Sequence, residues 1–318
     1  MRPPLPSTFQ LAFVAVLATL FAPSLASAQK KVTLKLNLKV GESYTVTATS
    51  KDHRSVTFGG LPRKESETAT VTVTLKATEV DKDGTVHGTV TYDAVRVEGE
   101  GPDGKYAYDS AKDKAAPATA ASAQKYAALV GRPLEVVVTS LGEVTSVKGA
   151  EDIADAILEA MEVADDKRDA VEQEVRASAG NEGLKEAIQK LIPRYPEKPI
   201  PQRTAWTVEQ TLTAVPPPVT VQRMYGLQSA TGGKVTLVVQ GAVKSTESSD
   251  DDGRPTGPTY DLKGTESGVI VVDQATGWII SGTLKLSVTG TRSMGAGAFA
   301  ANVPAKMQSE WSVEPPKK

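Results

Sequence analysis

Residues 268–291, GVIVVDQATGWIISGTLKLSVTGT, constrain the fold more than any other stretch of the chain. Apolar and polar side chains alternate there with a period of two, which an extended strand converts into one apolar face. Residues 278–289 form a run of twelve; at about 3.3 Å per residue it reaches roughly 40 Å, about twice the usual strand. Trp278, Ile280, Leu284, Leu286 and Val288 fall on one face with Gly282, and Ser281, Thr283, Lys285, Ser287 and Thr289 fall on the other. Wide sheets of such strands twist and coil. Gly282 and Gly88, each on the apolar side of a return strand, are the expected bends. The expected fold is therefore α+β, mainly antiparallel β: a long curved sheet or half-barrel with a central helical insertion, its concave side covered by helices or holding a ligand.

The same alternation recurs upstream. Val32, Leu34, Leu36 and Leu38 alternate with Thr33, Lys35, Asn37 and Lys39, and Tyr44, Val46 and Ala48 resume after Gly41-Glu42. Val71, Val73, Leu75 and Ala77 are answered by Val86, Gly88, Val90 and Tyr92 across the turn Asp81-Lys82-Asp83-Gly84, which is hairpin chemistry. Residues 98–131 read as a loop that becomes a short helix near 120–129, and RPLEVVVTSLGEVTSVKG reads as a third hairpin. From Ala150 the spacing changes to three and four: Ile153, Ile157, Ala160 and Met161, then Val171 and Val175. After Gly180, Asn181 is expected to cap a helix carrying Leu184 and Ile188, which Pro193 stops. The expected organisation is a signal peptide at 1–28, an N-terminal β-rich lobe at 29–149, a helical insertion at 150–193, a Pro-rich connector at 194–203 and a C-terminal β-rich lobe at 204–318. The two lobes share a layout, which suggests a weak duplication.

The first residues set the destination. Arg2 precedes an apolar run at 11–21, and the small triplet Ala26-Ser27-Ala28 follows, which is the pattern of a secretory signal peptide cleaved near Ala28. A membrane span needs about 20 apolar residues, so an anchor is not expected here, nor is a transmembrane segment in the mature chain. Export to the periplasm or the extracellular space follows. The sequence holds no cysteine, so neither a lipidated cysteine nor a disulfide contributes, and stability has to come from a packed core. Residues 29–318 carry 35 Lys and Arg against 38 Asp and Glu, a formal charge of −3, interspersed rather than blocked. Nucleic acid is not an expected partner, since that requires a concentrated basic field.

Catalytic chemistry finds little support in the residues. The two histidines, His53 and His87, stand apart from any G-x-S-x-G elbow, and with no cysteine they do not suggest zinc. Asp81 and Asp83 resemble the start of a calcium loop, but the twelfth position is Tyr92 inside a strand. Asp250-Asp251-Asp252-Gly253 is a solvated acidic turn by the same standard. No catalytic residue, metal or cofactor is assigned.

Three stretches, LNLKVGESYTVT, LVGRPLEVVVTSLGEVTSVKG and LIPRYPEKPIPQRTAWTV, resemble a family of uncharacterised secreted bacterial proteins that carry a domain of unknown function. In that family a glycine usually precedes the tryptophan strand, where Gln202-Arg203-Thr204 stand here. The resemblance implies an exported β-rich protein and no catalytic residues. The layout is also similar, more distantly, to half-barrel lipoprotein carriers of the cell envelope. The expected function is a non-enzymatic envelope protein that binds a lipid or other apolar or amphipathic ligand on a concave face lined by Trp278, Ile280, Leu284 and Leu286. A structural module that binds envelope proteins and a carboxylate-based hydrolase are the alternatives.

Overall fold

The computed structural model describes residues 31–58, 61–101, 104–116, 121–161, 168–212, 218–245, 260–294 and 301–315. The expected signal peptide at 1–28, Asp250 to Asp252 and residues 295–300 lie outside the described residues. The architecture is α+β and mainly antiparallel: one 12-stranded sheet that does not close, with four helices among the described residues.

The chain begins with β1 (Lys31–Val32), followed by β2 (Ser43–Phe58), β3 (Leu61–Val80), β4 (Val86–Gly101) and β5 (Gly104–Asp109). Helix α1 (Ala121–Leu129) precedes β6 (Pro133–Val138) and β7 (Val144–Lys148). Then come α2 (Ala150–Ala160), α3 (Arg168–Ala179) and α4 (Asn181–Gln189). The remaining strands are β8 (Ile200–Pro201), β9 (Ala205–Leu212), β10 (Val219–Thr231), β11 (Lys234–Ser245), β12 (Tyr260–Asp273), β13 (Ile279–Met294) and β14 (Ala301–Glu314). In the large sheet the order is β7-β6-β4-β3-β2-β14-β13-β12-β11-β10-β9, with β5 beside β4. The N-terminal and C-terminal strand blocks are thus one sheet, joined where β14 pairs with β2 from Ala305↔Val56 to Glu314↔Thr47.

Several elements differ from the sequence expectation. Only Lys31–Val32 of the first alternating run is a strand, paired with β8. Its period of two survives without a ladder: Val32, Leu34, Leu36 and Leu38 are buried while the residues between them are exposed. The segment crosses the strand ends and takes main-chain partners only where turns reach it, through Leu36 N donating to Ser140 O and Asn37 N to Thr276 O. The expected loop after Glu98 holds the β4–β5 hairpin, because Gly99 lets the Tyr106 ring lie across it. Asn181 is the first residue of α4 rather than its cap; its Oδ1 accepts from Ala150 N at 3.3 Å and ties α4 to α2.

The long ribbon contains a bulge. Val271 pairs with Ser281 but Val272 pairs with Ile279, so Ile280 is the extra residue, and Ile279 takes the inward position assigned to Ile280. The tighter strand contact lies two pairs from Gly282. A Cβ on Gly282 would meet Val269 O at 3.1 Å, whereas one on Gly268 would collide with Thr283 O and lie 2.9 Å from Leu284 Cα. The close approach at Gly268 is one that only a residue without a side chain permits.

One end of the curled sheet is filled. A single apolar cluster joins Val46, Val73, Leu75, Val90, Leu134 and Val138 from one half with Leu227, Val235, Leu237, Ile270 and Val272 from the other, and with Leu36, Ile153, Ile157, Leu184 and Ile188 from the segments that cover them. The connector after α4 latches this end. Tyr195 N donates to Leu141 O and its hydroxyl to Gly277 O; Trp206 Nε1 donates to Arg194 O at 3.0 Å; Arg194 pairs with Glu143 at 2.8 Å. Gln189, buried, bonds Val144 N, Gly142 O and Ile192 O, which satisfies the polar groups of this latch.

Candidate functional site

Cross-strand partners in a sheet share a face, so the register traces the concave surface row by row. One row runs Trp206, Tyr225, Val239, Gly268, Leu284, Trp311, Ser50, Ala69, Val97, Tyr108. It is almost wholly apolar and borders the filled end; Trp206 and Tyr225 stack at 5.4 Å. The next row toward the open end changes character: Val208, Arg223, Gly241, Glu266, Leu286, Ser309, Asp52, Glu67, Gly99, Tyr106. Charged and hydroxyl groups occupy six of its strands, at positions whose alternation elsewhere carries core residues.

Two parts of this polar row are internally satisfied. Arg223 on β10 and Glu266 on β12 form a bidentate pair, Nε to Oε2 at 2.6 Å and Nη2 to Oε1 at 2.9 Å, with side chains 17% and 9% exposed. They meet across β11 because Gly241 lies between them; a Cβ there would stand 3.2 Å from Glu266 Cβ. On β5 the Tyr106 hydroxyl donates to Glu67 Oε2 at 2.7 Å. Burial and the Glu67 carboxylate together hold that phenol well above its ordinary pKa.

Helix α1 lies over the N-terminal part of the row. Ala123 is buried against Ala69, Val97 and Tyr108, which orients the helix, and Tyr126 and Ala127 pack beside it. Lys125 is carried to the inside, with its Nζ 4.8 Å from the centre of the Tyr126 ring. Burial pulls the amine below its ordinary pKa, against the opposing pull of Glu67, with Lys190, Arg54 and Asp52 also in range.

Beyond the polar row the two walls diverge. On the C-terminal side Val219, Val221, Val243, Leu262 and Val288 form a second apolar cluster, with Leu212, Tyr260, Leu286, Ala305 and Met307 packed against it and partly exposed. On the N-terminal side the inward positions are Arg54, opposite Glu65, and Arg63, opposite Val56. An apolar wall and a charged wall meet where Met307 pairs with Arg54.

The convex surface is polar. Thr45 and Thr74, Thr47 and Thr72, and Thr49 and Thr70 form a hydroxyl ladder with separations of 2.7, 3.1 and 3.0 Å. Ser281, Thr283, Lys285, Ser287 and Thr289 face outward beside Lys306, Gln308, Glu310 and Ser312. A lipid-facing barrel carries its apolar band on the outside; here the apolar side is within. No helix among the described residues is long and apolar enough to cross a membrane.

The residues expected to line a ligand site divide. Trp278 packs in the filled core, 5.9 Å from Tyr44, and Leu284 packs against the same cluster. Ile280 is displaced by the bulge, and Leu286 stands in the polar row. Arg223, Glu266, Asp52, Glu67, Tyr106 and Lys125 were not singled out from sequence. Two clefts lie at the N-terminal hairpins: one of about 530 Å³ lined by Gly99 and Tyr106 of the polar row together with His53, Ser66, Glu98 and Lys105, and one of about 140 Å³ beside Arg96 and Asp109. Among the described residues no group of three or more His, Cys, Asp or Glu is placed to hold a metal. His53 is exposed, and His87 lies 3.0 Å from Asp81 at the β3–β4 turn.

Residues 83–279 match a family described as a family of unknown function, DUF6263. The chain belongs to that family. The DUF6263 match includes Tyr106, Lys125, Arg223 and Glu266 but not Asp52, Glu67 or Leu286, so the site lies partly inside it. A comparison with curated proteins finds no match. Among solved structures, DynF from the dynemicin biosynthesis pathway of Micromonospora chersina is 7% identical over 94% of each chain, with a TM-score of 0.20. The COG4313 outer membrane channel of Pseudomonas putida F1 is 7% identical over 92% of this chain and 99% of that one, with a TM-score of 0.18. Scores this low carry no argument about fold or function.

Proposed function

We propose that this chain is an exported, non-enzymatic protein of the cell envelope that holds an apolar or amphipathic ligand along the concave face at the open end of its sheet. One observation carries the reading: above the filled core, a partly exposed apolar wall (Leu212, Leu286, Ala305, Met307) faces inward alongside a charged wall (Asp52, Arg54, Glu65, Glu67). A surface of this kind suits a molecule with one apolar and one polar side, and leaving it bare is costly for the apolar half. The ligand surface is moved from the expected Trp278 and Ile280 to Leu286 and the row beyond it. Export rests on the N-terminal sequence and predicts that the secreted protein begins at Gln29, which N-terminal sequencing reads directly.

Native mass spectrometry of the full chain, expressed with its own N-terminus and purified without detergent, tests the binding. Co-purified amphiphile, or stoichiometric uptake of dodecanol or laurate, is expected. A protein that stays ligand-free and takes up neither compound would overturn the reading. The interaction-module alternative is supported by the free edges of β7 and β9, since no described strand pairs with their outer sides. Among the described residues of the helical arm, Val175 is buried and Val171 packs on the core, which does not favour it.

A further inference from the structure

The charged wall is not self-satisfied. Lys125 is within electrostatic range of Glu67, Asp52, Arg54 and Lys190, yet among the described residues it forms an ion pair with neither carboxylate. The carboxylates nearest the row are already engaged: Glu67 accepts from Tyr106 and Glu266 is held bidentate by Arg223. Lys125 therefore brings to the inner face a cation that lies against the Tyr126 ring. A partly buried ammonium without a bonded anion is costly, and an anion at that position would relieve the cost through charge-assisted hydrogen bonds.

The apolar wall lies within reach of the same point. Along the row, β3, β2, β14 and β13 are successive neighbours, so Leu286 is three strand spacings from Glu67, about 14 Å measured along the sheet. That is the reach of a medium-length acyl chain.

We propose that the ligand is an anionic amphipath whose acid head group lies against Lys125 and whose tail follows the row toward Leu286, Val288 and Met307. Lys125 is then the residue that selects the head group. The inference rests on the ligand-binding reading and narrows it to one chemical class; a carboxylate or a phosphate head satisfies it equally.

Binding of laurate, dodecyl phosphate, dodecanol and dodecyltrimethylammonium to the full chain, followed by tryptophan fluorescence and calorimetry below their micelle concentrations, provides the test. Laurate or dodecyl phosphate is expected to bind at least about tenfold tighter than dodecanol, with the ammonium weakest. Lys125→Gln should erase the acid-over-alcohol preference, and Lys125→Arg should restore it. Equal binding of acid and alcohol by the unsubstituted protein, or an acid preference that survives Lys125→Gln in a folded variant, overturns this inference while leaving the broader reading intact. Failure to bind any of the four amphiphiles overturns both.

Discussion

Arg223 and Glu266 meet only because Gly241, on the strand between them, carries no side chain. Removing one partner leaves the other charge partly buried, so Glu266→Leu should cost about 3–5 kcal/mol, while Arg223→Met with Glu266→Leu together should cost far less. Denaturant midpoints of the two single variants and the double variant read this; equal losses in all three would show that the pair is incidental. His87 gives a second residue-scale prediction. Its hydrogen bond to Asp81 raises its pKa above the ordinary value. The pair's contribution is therefore fully present below the ordinary histidine pKa and fades as pH rises through the elevated one. In Asp81→Asn, the proton NMR titration of His87 should move down; an unmoved titration would remove the pair from the account. Glu266 was legible in principle, since it shares parity with Leu262 and Ile270 and sits between Gly264 and Gly268. Asp52 and Glu67 likewise continue apolar-parity runs. Lys125 was not legible, because only the packing of Ala123 against β4 and β5 decides which way α1 turns.

At the scale of elements, the N-terminal segment behaves as a strand's side-chain pattern without a strand's ladder. Leu36 is 1% exposed and sits among residues from both halves of the sheet. Leu36→Ala should cost about 2–5 kcal/mol by loss of transfer energy and by the cavity left behind. Lys35→Ala, exposed on the same segment, should change stability by less than about 0.5 kcal/mol. Chemical denaturation distinguishes them, and similar effects from both would mean that the segment contributes by its main chain. The alternation of this run was readable, but its partner was not, because hydrogen bonding to Ser140 and Thr276 depends on turns remote in sequence. Strand β10 carries a weak sequence signal because Arg223 and Gly226 interrupt its pattern. The bulge at Ile280 was hidden too, since one extra residue shifts a register that composition does not mark.

For the molecule as a whole, the apolar cluster at the filled end draws on β2–β4, β6, β7, all of α2 to α4, and β10–β14. Two strand blocks that are separate in sequence therefore share one core. Calorimetry should show one cooperative transition, with calorimetric and van't Hoff enthalpies equal; two resolved transitions would show that the halves fold independently. That both blocks are strand-rich was evident from the sequence. That they form one sheet was not, because the joint is a single pairing between the first long strand and the last.

The same pairing has a kinetic meaning. Strand β2 ends at Phe58 and its neighbour β14 begins at Ala301, so the central seam of the sheet is formed from chain ends more than two hundred residues apart. Contacts of that sequence separation pay their loop-closure entropy before they return any stability, and they form slowly. Until residue 314 has been made, β2 has an unpaired edge, and the core above it lacks Trp311 and Val313. A nascent chain of this design lacks its central seam until the last strand has been made, and the open edge of β2 is an aggregation hazard for the same interval.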